Sequence, residues 1–196
     1  MKHSTTELPA GYREILAVNL QTDKKTAALI NGAALALVLV MGAGMHFVVP
    51  VGTLFGMEAG MGPYFLRLFA LLAGYFAYVV LHELTHAAVM KHYGAEKVRF
   101  GFTGLYAYAG SEADYFDKHA YRRVALAPLV VWGVIFLILQ FLVPTSWFWV
   151  VWFWQIGNVA GAAGDVYVTL KFAPLPADIL VKDTGVDMTV WSRENG

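Results

Sequence analysis

Four stretches of the chain, approximately residues 27–49, 64–90, 124–143 and 147–170, are each apolar over the roughly 20 residues that a helix needs to cross the hydrocarbon of a bilayer. Hydrocarbon offers no partner to a backbone N–H or C=O, so such segments must satisfy their own hydrogen bonds as helices. Pro50, Gly60-Met61-Gly62-Pro63 and Pro144-Thr145-Ser146 punctuate the four. The expected fold is an all-α membrane protein of four transmembrane helices, with 1–26 a cytoplasmic N-terminal segment, 27–171 the membrane core and 172–196 a cytoplasmic tail. Hydrophobic residues make up 58% of the chain and charged residues 14%, more apolar surface than a soluble core requires. The lipid bilayer is thus an expected partner. A formal net charge of zero without a basic face argues against nucleic acid, and the polar opening segment lacks the apolar region of a cleavable signal peptide. Trp147, Trp149, Trp152 and Trp154 crowd the start of the fourth stretch, where an interfacial aromatic belt is expected.

Lysine and arginine set the orientation. Lys2, Arg13, Lys24 and Lys25 precede the first stretch. Lys91, Lys97, Arg99, Lys118, Arg122 and Arg123 fall between the second and third, and Lys171, Lys182 and Arg193 follow the fourth. Connections 50–63 and 144–146 carry none, which predicts a multi-pass cell-membrane protein with both termini and the central loop cytoplasmic. Arg67, near the outer end of the second stretch, is the basic residue left over.

His82-Glu83-Leu84-Thr85-His86 lies inside the second stretch. Helical spacing puts both imidazoles on one face with Glu83 leaning beside them, the pattern of two zinc ligands and a general base. Three ionisable groups in one turn of a lipid-spanning helix each cost about 2 kcal/mol or more unless they meet a partner, a cavity or a metal. The chain has no cysteine, so ligands must be His, Asp or Glu. Asp165 is the only other acid in an apolar stretch; it precedes Lys171 by six residues as His86 precedes Lys91 by five, so antiparallel helices bring the two to one depth. A lone membrane aspartate can alternatively serve a proton path or an interhelical hydrogen bond. His92 has the spacing of a third metzincin histidine, but Val89 stands where that pattern needs Gly, and a continuing helix turns His92 away. Glu112, in Ser111-Glu112-Ala113-Asp114, reads as part of a solvated turn. The small residues of Gly157-Asn158-Val159-Ala160-Gly161-Ala162-Ala163-Gly164-Asp165 are expected to let helices approach closely, bringing Asp165 against the second stretch. Asn158, two turns before Asp165, suits an interhelical hydrogen bond or a contact to a substrate backbone.

Three segments together, His82 to His86, Tyr121-Arg122-Arg123-Val124-Ala125-Leu126-Ala127-Pro128, and Asn158 through Asp165, resemble the site-2 protease class of intramembrane metalloproteases, and more closely a small bacterial family of membrane zincin peptidases. The resemblance implies a three-helix core in which His82, His86 and Asp165 bind Zn²⁺, Glu83 is the general base and Asn158 helps position substrate. Val166 stands where site-2 proteases have Gly after the ligand Asp, and Ala127-Pro128 where they often have Gly-Pro.

Residues 97–102 and 105–109 flank Thr103-Gly104 and alternate with aromatic content, predicting a small cytoplasmic β-hairpin between the second and third helices. An exposed hairpin edge can hold an extended peptide by strand addition. Residues 12–20 suit either a strand or an interfacial helix. The expected activity is zinc-dependent hydrolysis of peptide bonds in a membrane-associated or transmembrane substrate near the cytoplasmic leaflet. Alternatives are a non-catalytic metal-binding or partner-binding scaffold, and haem ligation through His46 at the outer end of the first stretch. Substrate identity and oligomeric state are not encoded legibly.

Overall fold

The computed structural model describes residues 3–104 and 106–193, so Lys2 of the charge map and Leu105 of the expected hairpin lie outside the described residues. Helices α1 (Lys24–His46), α2 (Met61–His92) and α3 (Lys118–Leu142) are long and apolar enough to cross a membrane, which marks the chain as a membrane protein. Two of them start on aspartate caps: Asp23 accepts the Thr26 N–H at 3.1 Å and Asp117 accepts the Ala120 N–H at 2.7 Å.

The fourth apolar stretch is not one helix. It divides at Ala162 into α4 (Phe148–Gly161) and α5 (Ala163–Phe172). Runs of 14 and 10 residues rise about 21 and 15 Å, each short of the roughly 30 Å hydrocarbon thickness. The all-α expectation is also corrected, because among the described residues seven strands form alongside the helices: β1 (Ser4–Thr5), β2 (Tyr12–Asn19), β3 (Arg99–Phe102), β4 (Ala107–Gly110), β5 (Tyr115–Asp117), β6 (Leu180–Asp183) and β7 (Asp187–Arg193). The hairpin β3–β4 is present, but five further strands make a second, antiparallel sheet in the order β1-β5-β6-β7-β2. Its strands come from the N-terminal segment, the central loop and the tail. Residues 12–20, ambiguous in sequence, supply the edge strand β2, which pairs with β7 from Tyr12↔Arg193 to Asn19↔Asp187.

The chain divides into two compact units. The first comprises Met1–Ile30, His82–Ala127 and Gly164–Gly196. Its core joins Met90 of α2, Tyr121 and Val124 of α3, and Val168 and Phe172 of α5 to Phe116, Val181 and Val190 of the sheet. Gly110 fits here because of its size: a Cβ would meet the Thr184 backbone carbon at 2.2 Å, so the end of β4 lies directly on the β6–β7 turn.

The second unit comprises Asn31–Leu81 and Pro128–Ala163. Its tryptophans serve as internal ties: the indole N–H groups of Trp149, Trp152 and Trp154 donate to the carbonyls of Val49, Met41 and Leu71 at 3.0, 3.2 and 3.0 Å. Arg67, the exception to the charge map, is buried and donates to the carbonyls of Leu54 and Gly56 around the 3₁₀ turn Val51–Phe55. Its charge is therefore spent on backbone that the short turn leaves unpaired. Within the small-residue run, Gly157 permits close approach, with a Cβ falling 2.4 Å from the Tyr75 ring, whereas Gly161 and Gly164 face open space.

Candidate metal centre

All four residues of the expected centre, His82, Glu83, His86 and Asp165, belong to the first unit. One turn of α2 presents the histidines side by side, with His82 Nε2 and His86 Nε2 3.2 Å apart. The break at Ala162 places Asp165 in the first turn of α5, where a carboxylate complements the partial positive charge of the helix N-terminus. Asp165 Oδ2 lies 3.6 Å from His82 Nε2, and Oδ1 lies 3.7 Å from His86 Nε2. A tetrahedral zinc with bonds of about 2.0–2.2 Å requires ligand atoms roughly 3.3–3.6 Å apart; separations of 3.2, 3.6 and 3.7 Å, the last two to different oxygens of Asp165, lie close to that range, so this donor set suits the ion. Both histidines are buried, while the Asp165 side chain is 23% exposed, which leaves a route for water or substrate on its side.

A second layer of contacts holds this set. His86 Nδ1 lies 2.9 Å from the Val124 carbonyl of α3, which fixes the proton on Nδ1 and turns Nε2 toward Asp165. The Glu83 carboxylate meets the backbone N–H of Ala109. Ala109 lies in β4, whose pairing partner among the described residues is β3. The Thr103 N–H to Tyr106 carbonyl bond closes the hairpin, so Tyr108 and Gly110 turn their backbone groups toward β3, whereas Ala107 and Ala109 turn theirs outward. Glu83 thus faces the outer edge of β4.

Tyr121 and Asp183 stand nearby. The Tyr121 hydroxyl donates to Asp183 Oδ2 at 2.8 Å and the Gly185 N–H to Asp183 Oδ1 at 2.7 Å. Burial pushes the Asp183 carboxyl up to about 6; the two hydrogen bonds oppose that shift and the charge of Asp165 adds to it.

Among the described residues, His82, His86 and Asp165 are the cluster of His, Asp and Glu that can hold a metal ion. Glu112 instead pairs with Arg99 at 2.9 Å on an exposed surface, and His92, the last residue of α2, stacks edge-on against Tyr93. His46 Nδ1 accepts the Val51 N–H at 3.1 Å at the end of α1. Asn158 belongs to the second unit and is fully buried. Its amide accepts from the Tyr78 hydroxyl at 3.0 Å and donates to the Leu129 carbonyl at 3.1 Å, tying α2, α3 and α4.

Sequence reasoning missed Val124, Ala109, Tyr121 and Asp183 as neighbours of the centre. Pro128, four residues after Val124, was the available signal for the first; a backbone donor such as Ala109 leaves none, because any residue type supplies an N–H.

Two histidines one turn apart, with a glutamate beside the first and a carboxylate from a separate helix, form a group that could hold a metal ion, in a chain with three helices long and apolar enough to cross a membrane. Residues 75–180, more than half of the chain, match the family described as "Putative zincin peptidase", and the protein belongs to that family. No curated protein and no solved structure matches the chain.

Proposed function

We propose that this protein is a zinc-dependent membrane protease that cleaves membrane-associated or transmembrane polypeptides beside the cytoplasmic leaflet. The observation that carries this reading is the fit of His82, His86 and Asp165 to one tetrahedral ion with Glu83 adjacent. Zinc held there supplies a Lewis acid that polarises the scissile carbonyl and acidifies water. Glu83 takes a proton from the attacking water and returns it to the leaving amine. The outward backbone groups of Ala107 are available to an extended substrate strand running along β4, beside the Ala109 N–H that Glu83 engages. The contacts of Asn158 support its role as a helix clamp rather than a substrate contact.

Placement beside the leaflet is supported by α2 itself. Its 32 residues rise about 48 Å, well beyond a hydrocarbon core of roughly 30 Å. Large exposed apolar side chains run along it from Met61 to Leu84 and then stop, so the metal centre falls where the lipid-facing stripe ends. The sheet supports the membrane topology in turn. Strands from before α1, from between α2 and α3, and from after α5 pair in one sheet, so those three segments share one side of the bilayer. This reading puts both termini, with the central loop, on the cytoplasmic side.

Purified protein in detergent, presented with membrane peptides and analysed by mass spectrometry, tests the activity. Wild type is expected to cleave, and Glu83→Gln to keep its zinc while losing cleavage by about 10²–10⁴-fold. Zinc-loaded wild type that cleaves nothing across a broad panel favours a metal-binding scaffold instead.

A further inference from the structure

We propose that Pro128 is a positioning residue for the metal centre: by withholding a backbone N–H it leaves the Val124 carbonyl to His86 Nδ1, and so presents His86 Nε2 to the metal. In an α-helix the carbonyl of residue i accepts from the N–H of residue i+4. Within α3 the partner of Val124 is therefore residue 128, the proline inside that helix, which has no N–H to give. Val124 is 1% exposed and Pro128 is buried as well, so water does not take the orphaned carbonyl. A buried carbonyl without a donor is costly. His86 Nδ1, at 2.9 Å, supplies the donor.

The same contact serves the imidazole. A neutral histidine carries one ring proton, and a proton on Nδ1 leaves the Nε2 lone pair directed at the ligand atoms of His82 and Asp165. An acceptor behind a ligating histidine also raises its basicity toward the metal. An N–H at position 128 would compete for the Val124 carbonyl, weaken its hold on Nδ1 and free the ring to change tautomer. The inference rests on His86 as a metal ligand and adds what holds it in register.

Three proteins in detergent test it: wild type, Pro128→Ala, and a chain with lactic acid at position 128, whose ester oxygen replaces the N–H that alanine restores. Two quantities are read on each, the His86 tautomer from ¹⁵N chemical shifts of metal-free protein and the zinc affinity by competition with a chromophoric chelator. Alanine favours helix more than proline does, so the fold should be kept. Wild type and the lactic acid chain are expected to show the Nδ1–H tautomer and equal zinc affinity. Pro128→Ala is expected to show a mixed tautomer and about tenfold weaker zinc binding, the low end for loss of an outer contact to a ligating histidine because the carbonyl keeps a second lone pair. An Nε2–H tautomer in wild type overturns the proposal without any variant. So does a Pro128→Ala protein indistinguishable from wild type, or equal weakening by alanine and lactic acid, which would assign the effect to the shape of the proline ring. Wild type that binds no zinc overturns the metal centre itself, whereas the metal-free tautomer comparison still decides whether Pro128 controls His86.

Discussion

Asp183 carries its proton unusually high for a carboxylate, and this gives the fold a pH dependence of definite sign. Its value of about 6 in the folded protein exceeds the ordinary 3.8, so the folded state binds more protons than the unfolded state between those two values. Stability therefore falls as pH rises from about 4 to 6. Thermal unfolding of metal-free protein across that window should show this slope in wild type and a flatter profile in Asp183→Asn; parallel profiles would count against it. Asn158 makes a different prediction. Its replacement by alanine removes the bonds to the Tyr78 hydroxyl and the Leu129 carbonyl, each worth about 0.5–1.5 kcal/mol, so Asn158→Ala should lower the Tm while zinc content is unchanged. At this scale the sequence was most informative about the metal centre: His82, Glu83 and His86 are related by local helical geometry, and Asp165 by depth alone. The outer contacts depend on which distant backbone arrives beside them, and neither Val124 nor Ala109 has a side chain that advertises it.

Among the elements, the β3–β4 hairpin bears most directly on substrate. Ala107 turns its N–H away from β3, so proline there removes a donor from the outer edge without breaking the hairpin ladder. Ala107→Pro should lower cleavage of extended peptides with zinc content intact; an unchanged rate would remove strand addition from the mechanism. Gly110→Ala tests how the hairpin is anchored, because the added methyl group would meet the Thr184 backbone at 2.2 Å. A lower Tm with disturbed cleavage is expected, and an unaffected protein would contradict so close an approach. The hairpin was legible because its strands are adjacent in sequence around Thr103-Gly104. The five-stranded sheet was not: β1 has two residues, and apart from the local β6–β7 hairpin its pairings join segments far apart in the chain. The break at Ala162 was hidden as well, since the small residues around it read as a packing surface rather than a helix end.

For the whole molecule, one sheet gathers the N-terminal segment, the central loop and the tail, and that constraint predicts the topology more strictly than the charge map does. The chain has no cysteine, so single cysteines at exposed Glu7, Lys97, Arg193 and Glu58 can be labelled in intact cells without background. The first three should resist a membrane-impermeant reagent and the last should react; a split among the first three would refute the shared side. All of these functional predictions depend on one ion bound between α2 and α5. Zinc content of the purified protein, measured by mass spectrometry on wild type, Glu83→Gln and Asp165→Ala prepared together, tests that dependence directly. One zinc per chain is expected in wild type and in Glu83→Gln, and little or none in Asp165→Ala. Full occupancy in Asp165→Ala, or an empty wild type that zinc does not load, would contradict the centre described above.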